Sequence, residues 1–191
     1  MENDIESICP ASRNEWREWL IKNHQTATSI WLIQYKKSAD KPTISWVEAV
    51  EEALCFGCID SIRKSIDEER FIQFFTKRKP KSAWSKINKA KVLALIDHGL
   101  MTKAGHESIA RAKENGSWII LDEVEELTIP EELEQEFEKK PDAKEFFLGL
   151  SKSVRKAILQ WIAFAKRPET KAKRIVEVVD LAERKQKPKQ F

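Results

Sequence analysis

Hydrophobic positions in the first part of the chain follow first a helical period and then a strand pattern. Trp16 and Leu20 lie one helical turn apart, with a further Trp between them, and predict an amphipathic helix over residues 14–23. Residues 29–37 are instead rich in aromatic and β-branched side chains, which favour strands. A helix followed by a strand is therefore expected before the first break in the chain, at Lys41 and Pro42.

Polar residues then mark the ends of the elements that follow. Ser45 is placed as an N-cap, Glu48 completes a capping box three residues later, and the helix is expected to stop near Gly57. Residues 59–66 and 70–77 are two short runs on either side of an acidic turn, which predicts an antiparallel hairpin. We therefore expect an α+β fold, with a small three-stranded antiparallel sheet and flanking helices, followed by a helical C-terminal part.

After Pro80 the hydrophobic spacing is helical, apart from residues 118–121, a short apolar run expected to be a strand or extended. The division predicted from this change is an α+β domain with a helical extension over residues 1–128 and a helical subdomain over residues 129–191. The helices expected here begin at Ser82 or Trp84, after Thr102, at 131, at 143, after Ser151 or Ser153, and at Pro168.

The composition indicates a globular protein with a substantial core. The 191 residues include seven Trp and nine Phe, which supply ample surface for burial. No apolar run approaches the roughly 20 residues of a membrane span, and the first 25 residues show no secretory pattern. With only three Cys in addition, we expect a cytoplasmic protein with reduced thiols and no membrane span.

Charges are strongly segregated along the chain, although the net charge is only +3. Residues 77–96 carry seven basic and no acidic side chains, residues 122–138 carry nine acidic and no basic ones, and residues 152–174 are again basic. Such blocks form either interaction surfaces or faces that pair with one another inside the molecule. Internal pairing is the simpler interpretation.

The spacing of Cys55 and Cys58 is that of a C-x-x-C motif, but its position argues against reactivity. Cys55 is expected at the C-terminal end of a helix, where the dipole raises a thiol pKa, whereas reactive thiols usually lie at helix N-termini. Further metal ligands at matched spacing are missing. We expect no metal site, no cofactor and a buried Cys55 that acts as a small hydrophobic residue.

The segment from Arg78 to Asn88 is the most unusual in the chain. It combines basic residues, a Trp and hydrogen-bonding side chains at an expected helix start, where anions bind. Because an antiparallel hairpin brings its two ends together, Asp60 is expected near Arg78. The candidate ligand-binding residues are Asp60, Arg78, Lys81, Ser82, Trp84, Ser85 and Asn88; a helix cap and a structural Asp–Arg pair are the alternatives.

Three function classes remain open. The leading one is a non-enzymatic binding protein with a small anionic ligand or a protein partner. A nucleic-acid-binding regulator that uses the basic residues 77–91 is an alternative, since residues 85–114 are spaced like a helix–turn–helix. An enzyme with a site near Asp60 and residues 78–88 is the third, although no nucleophile or phosphate-loop motif is present and no catalytic residue is assigned.

Residues 52–60, 75–88 and 99–105 resemble the YdeI/OmpD-associated family, and residues 165–175 resemble its small helical module. The resemblance extends from about Trp31 to Leu181. Two positions depart from the family pattern: Cys58 stands where a Trp is usual and Lys77 where a Pro is common. The resemblance implies a bacterial origin and a stress or bacteriocin-protection role, and it implies no established reaction.

Overall fold

The computed structural model describes residues 6–191, so the first five residues of the polar N-terminal segment lie outside it. Within this range the chain forms four strands and nine α-helices, with a short 3₁₀ helix at Lys37–Ala39. The strands are β1 (Ser7–Ile8), β2 (Ser29–Tyr35), β3 (Cys58–Ser65) and β4 (Arg70–Lys77). The helices are α1 (Arg13–Asn23), α2 (Trp46–Cys55), α3 (Lys86–Asp97), α4 (Lys103–Glu114), α5 (Asp122–Glu125), α6 (Glu131–Glu138), α7 (Pro141–Gly149), α8 (Lys152–Ala163) and α9 (Pro168–Glu183).

The described chain divides into two compact units. The first, called the sheet unit, comprises residues 6–82 and Ile87–Trp118. The second, called the helical unit, comprises Ala83–Lys86 and Ile119–Phe191. Each unit has its own buried core and is described by itself.

The sheet has four strands in the order β1-β2-β4-β3, so the prediction of a three-stranded antiparallel sheet is wrong in this detail. The additional strand β1 pairs in parallel with β2, with Ser7 opposite Trp31 and Ile8 opposite Leu32. A strand of two residues has too little alternation to be recognised from a hydrophobic pattern. The mixed α and β content is as expected.

The β3–β4 hairpin is confirmed within one residue at its beginning. Its turn is fixed by Asp67, whose Oδ1 accepts hydrogen bonds from the backbone N–H groups of Glu69 at 2.9 Å and Arg70 at 2.7 Å. Short polar side chains that bind the backbone in this way favour tight turns. The hairpin therefore places Cys58 opposite Lys77, at the same end of the sheet.

The core of the sheet unit lies between one face of the sheet and helices α1 and α2. Trp16 is fully buried, lies 5.5 Å from the Phe75 ring between centroids, and donates its indole N–H to the carbonyl of Ala49 at 3.0 Å. The predicted capping box of α2 is present, with Ser45 and Glu48 satisfying each other's backbone N–H groups. These contacts fix α2 over the strands and direct its C-terminal end toward the hairpin ends.

Two local predictions after the hairpin are wrong. Helix α3 begins at Lys86 rather than at Ser82 or Trp84, because residues 82–85 have no helical backbone. Residues 118–121 form turns rather than a strand, and the N–H of Asp122 donates to the carbonyl of Ile119 at 2.9 Å. Helix α5 follows directly, and its single turn was too short to show a hydrophobic period.

The helical unit is built around an apolar core. Phe137 and Phe147 are almost completely buried, with ring centroids 5.3 Å apart, and aliphatic residues of α6 to α9 surround them. Lysines bind the acidic block across this unit: Lys156 pairs with Glu125 at 2.6 Å, and Lys171 pairs with Glu132 at 2.5 Å. The segregated charges of these two blocks thus pair internally, as the simpler interpretation predicts.

Candidate ligand-binding cleft

The two ends of the β3–β4 hairpin lie side by side. Asp60 is opposite Phe75 in the register, and the backbone N–H of Arg78 donates to the carbonyl of Gly57 at 2.9 Å. The predicted hairpin geometry is therefore confirmed, with Asp60 and Arg78 at one end of the sheet. Their side chains nevertheless take different surroundings.

The Asp60 carboxylate is hydrogen-bonded to the indole ring of Trp46. Its Oδ2 atom accepts a hydrogen bond from Nε1 of Trp46 at 3.0 Å and another from Nε2 of Gln73 at 3.3 Å. Gln73 is buried in the sheet, so the carboxylate links the strands to the first turn of α2. Through these two hydrogen bonds Asp60 positions the Trp46 ring.

Arg78 is buried, with 8% of its surface exposed. Burial lowers its pKa to about 10, while the charge of Asp60 acts in the opposite direction. A guanidinium with that pKa is still protonated at neutral pH. Arg78 therefore contributes a fixed positive charge to its surroundings.

Arg78 lines a cavity of about 570 Å³ in the sheet unit, which we call the basic cleft. This volume lies within the range of about 300–1,000 Å³ that is usual for small-molecule sites. The residues lining it are His24, Gln25, Phe56, Gly57, Lys77, Arg78, Pro80, Lys103, Ala104, Glu107 and Arg111. Four permanent cations and a histidine thus face a single carboxylate.

One wall of the basic cleft is a face of α4. Lys103, Glu107 and Arg111 follow one another at intervals of one helical turn, so their side chains lie on the same side of the helix. Lys103 and Glu107 approach to 3.9 Å in an exposed pair. The sequence segment itself is only mildly basic, and the charge becomes concentrated only when this face meets β4.

The position of α4 is set by a close junction with the end of α2. Thr102 donates to the carbonyl of Cys55 from its backbone N–H at 3.1 Å and from its hydroxyl at 2.7 Å. A Cβ atom at Gly105 would lie 2.4 Å from the same carbonyl oxygen, so only glycine fits there. The expected helix cap Thr102 thus joins two helices, and this junction makes the wall of the cleft rigid.

The opposite wall is formed by the end of α1 and the first residues after it. Nδ1 of His24 donates to the carbonyl of Leu20 at 2.8 Å, and the His24 ring lies 5.1 Å from that of Phe56. Lys77 donates from Nζ to the carbonyl of Gln25 at 2.8 Å, which ties β4 to this wall. The cleft is therefore formed by three segments that are distant in sequence.

The other predicted site residues are distributed over both units. Lys81 and Ser82 form a turn after β4, in which the N–H of Ser82 donates to the carbonyl of Lys79 at 2.9 Å, and Asn88 lies on α3. Trp84, which is buried, and Ser85 belong to the helical unit. Among the predicted site residues in the sheet unit, Arg78 alone lines the basic cleft.

Much of the basic segment 77–91 is engaged within the sheet unit. Lys91 pairs with Glu51 at 3.0 Å, and Lys89 lies 5.2 Å from the centre of the Trp118 ring. Together with the bond from Lys77 to Gln25, these contacts hold three of its cations against the protein. They therefore reduce the charge that the segment presents outward.

The two cysteines of the C-x-x-C motif are buried as thiols. Burial raises the pKa of Cys55 and raises that of Cys58 to about 11. Cys55 ends α2, as predicted, and its surface is fully buried. Within residues 6–191 no cluster of His, Cys, Asp and Glu side chains has the arrangement of a metal site.

Comparison with known families divides the chain in two. Residues 8–108 match a family described as Domain of unknown function (DUF8412), and residues 126–185 match one described as Bacteriocin-protection, YdeI or OmpD-Associated. The resemblance found in the sequence is confirmed over the second range. No curated protein and no solved structure matches the chain. No helix in the described part of the chain has both the length and the apolar surface to cross a membrane.

Proposed function

We propose that this chain, which belongs to the family described as Domain of unknown function (DUF8412), binds a small anionic molecule in the basic cleft of its sheet unit. The matched range includes every residue that lines the cleft except Arg111. The match at residues 126–185 to a family described as Bacteriocin-protection, YdeI or OmpD-Associated supports a protective role. We further propose that this role is non-enzymatic and is carried out in a bacterial cytoplasm.

The observation that carries this proposal is the excess of positive charge in a cavity of suitable size. Lys77 ends β4 and Arg78 follows it, Lys103 and Arg111 come from α4, and only Glu107 among the lining residues opposes them. Cations that converge from separate elements favour a ligand with two or more negative charges. Arginine adds planar, two-point hydrogen bonding to carboxylates and phosphates.

The walls of the cleft are already in place, which lowers the entropic cost of binding. Thr102 and Gly105 lock α4 against α2, and Lys77 is tied to the opposite wall. Arg78 supplies charge from a buried position, where water screens it less than at the surface. These features support binding of a specific anion rather than a diffuse counterion atmosphere.

The proposal is tested by titrating the protein with inorganic phosphate, pyrophosphate and citrate and following the melting temperature. At least one of these should raise it, because a ligand that binds only the folded state stabilises that state. Arg111→Gln should weaken this stabilisation about tenfold in apparent affinity. Lys113→Gln is the matched control, since it removes the same charge from the same helix at the position that faces the Trp118 ring.

Equal weakening by Arg111→Gln and Lys113→Gln would reduce the effect to general charge screening and overturn the proposal. So would a melting temperature that none of the three anions changes. The alternative of nucleic-acid binding through residues 77–91 predicts instead a steep loss of affinity with salt, which triple replacement of Lys79, Lys81 and Lys86 by Ala would flatten.

A further inference from the structure

A second cavity of the sheet unit lies away from the basic cleft and shares no residue with it. It measures about 730 Å³ and is bounded by the loop between β2 and α2, the start of α2, and side chains of β3 and β4. The residues that line it are Tyr35, Lys36, Lys37, Asp40, Lys41, Pro42, Thr43, Ile44, Ser45, Trp46, Glu48, Arg63 and Phe71. Aromatic and basic side chains dominate this list.

We propose that this second cavity binds a nucleotide, with its base stacked on Trp46 and its phosphate bound by Arg63. Trp46 is 44% exposed, which is unusual for so large an apolar side chain. Its ring does not rotate freely, because Nε1 donates to Asp60 and Asp60 is held in turn by Gln73. A fixed and exposed indole is a stacking surface for any nucleobase.

Arg63 supplies the anion-binding group. Its guanidinium lies 3.8 Å from the centre of the Phe71 ring, a stacking contact that fixes its plane. No carboxylate of the described residues forms an ion pair with Arg63. Its N–H groups therefore remain for a phosphate, and the exposed Lys37 adds a further positive charge to the lining of the same cavity.

The loop that closes the cavity is held in place by the β3–β4 turn. Lys36 donates to the carbonyl of Asp67 at 2.7 Å, and Lys41 pairs with Glu69 at 2.7 Å. Of the two carboxylates in the cavity, Glu48 is bound to Ser45 in the capping box, so its charge is directed to the helix end. Asp40 remains as an acceptor suited to the hydroxyls of a ribose.

The test is a calorimetric titration with AMP, adenosine and inorganic phosphate. AMP should bind at least about tenfold more tightly than either fragment, because ring and phosphate are recognised together. Trp46→Leu and Arg63→Gln should each weaken AMP binding about tenfold. Trp46→Phe keeps a stacking ring and should retain most of the affinity, which also controls for a folding defect in Trp46→Leu.

Two control variants separate this site from others. Lys64→Gln removes the same charge from the next residue of β3, whose side chain lies 5.3 Å from Trp31 on the other face, and AMP binding should not change. The basic cleft would also take a phosphate, so the titrations are repeated on an Arg111→Gln background, where AMP should still bind about tenfold more tightly than inorganic phosphate. Loss of AMP binding in either control, or adenosine binding as tightly as AMP, would overturn the proposal.

A six-residue oligoriboadenylate, which keeps the ribose of AMP, distinguishes a free nucleotide from a single strand as the source of this chemistry. Binding more than about sixfold tighter than AMP, beyond the statistical gain of having several bases, would assign the site to a single strand. Similar affinity per nucleotide would assign it to a free nucleotide. Both outcomes support the site, whereas binding of the strand without any binding of AMP would contradict stacking of one base on Trp46.

Discussion

The two units treat polar side chains in opposite ways. Of the described residues, every polar or charged side chain classed as buried lies in the sheet unit, and these are Gln34, Glu52, Gln73, Arg78, Ser108 and Ser117. The helical unit has an apolar core, and its ion pairs lie in half-buried or exposed positions outside that core. Burying a polar group costs free energy unless its hydrogen bonds are satisfied, so its presence marks a place where position matters.

The difference suggests a division of tasks. In the sheet unit, buried polar groups adjoin the cavities: Arg78 lines the basic cleft, and Gln73 supports Asp60 beneath Trp46. In the helical unit the buried contacts are instead between apolar side chains, as between the rings of Phe137 and Phe147. Substitutions in the helical unit should therefore act mainly on stability. Substitutions in the sheet unit should act on ligand binding as well as on stability.

The largest effect is expected from Phe137→Ala. This side chain is completely buried in the helical unit, and its removal leaves a cavity that costs about 3–5 kcal/mol of unfolding free energy. Urea denaturation followed by circular dichroism measures it. The control is Phe164→Ala, at a 42% exposed position of the same unit, with an expected loss below about 1 kcal/mol. Similar losses in both variants would contradict the apolar-core description.

A pH dependence should distinguish the sheet unit. Burial in the folded chain raises the pKa of the Cys58 thiol from its ordinary value of 9.0 to about 11. The thiol therefore stays protonated to a higher pH in the folded state than in the unfolded chain. The free energy of unfolding falls by about 2–3 kcal/mol as the pH rises between these two values.

Urea denaturation at about pH 8, 10 and 11 should show this loss for the natural chain, after subtraction of the same series for Cys58→Ala. Subtraction removes the contribution of lysines and Tyr35. Cys9→Ala is the comparison: partial burial also raises the pKa of this exposed thiol, but the slope should change less than it does in Cys58→Ala. A difference curve that is flat across this range would mean that Cys58 is accessible to water in the folded state.

Glu52→Gln should destabilise the sheet unit by about 2 kcal/mol. The carboxylate is 2% exposed and accepts bonds at 2.6 Å from both Arg13 and Arg17. Arg17 would lose its charged partner, and Arg13 would keep only Glu51, at 3.2 Å. Glu51→Gln is the matched control on the same helix: Glu51 is 23% exposed, and its loss should cost less than about 1 kcal/mol. Equal effects of the two variants would argue against a buried ionic centre.

The smallest effect is expected from Lys171→Ala in the helical unit. Its pair with Glu132 lies at the surface and should contribute less than about 1 kcal/mol, an amount that added salt removes. Denaturation at low salt and at about 1 M salt measures this difference. A salt-independent loss would show that the aliphatic part of Lys171, rather than its charge, stabilises the unit.

Local patterns predicted the elements well where their ends carry chemical signals. Ser45 with Glu48, the acidic turn at Asp67 and the helix start at Pro168 all lie where the sequence indicates. The sequence does not predict the short strand β1, and it wrongly predicts a strand or extended segment at residues 118–121, which form turns. Neither segment follows a regular hydrophobic period. A helical or strand period can be recognised only over several residues, and these short elements contain too few residues to show one.

The basic cleft could not be read from the sequence for a different reason. Its cations come from positions as distant as Lys77 and Arg111, and the segment around Arg111 also contains acidic residues. What brings them together is the junction at Thr102 and Gly105, a tertiary contact without a sequence signature. Arg78 was identified because the hairpin is local, and the convergence of the seven predicted residues on one site stays a prediction.

The strand order has a consequence for synthesis of the protein on the ribosome. β2 pairs with β4 rather than with its sequence neighbour β3. The hydrogen bonds between β2 and β4 therefore cannot all form until Lys77 has left the exit tunnel. At about 5–20 residues per second this delay lasts roughly 2–8 seconds. During that time a nascent strand rich in aromatic and branched side chains has no partner on that edge. We therefore expect the growing chain to be most prone to aggregation in the interval before the hairpin is synthesised.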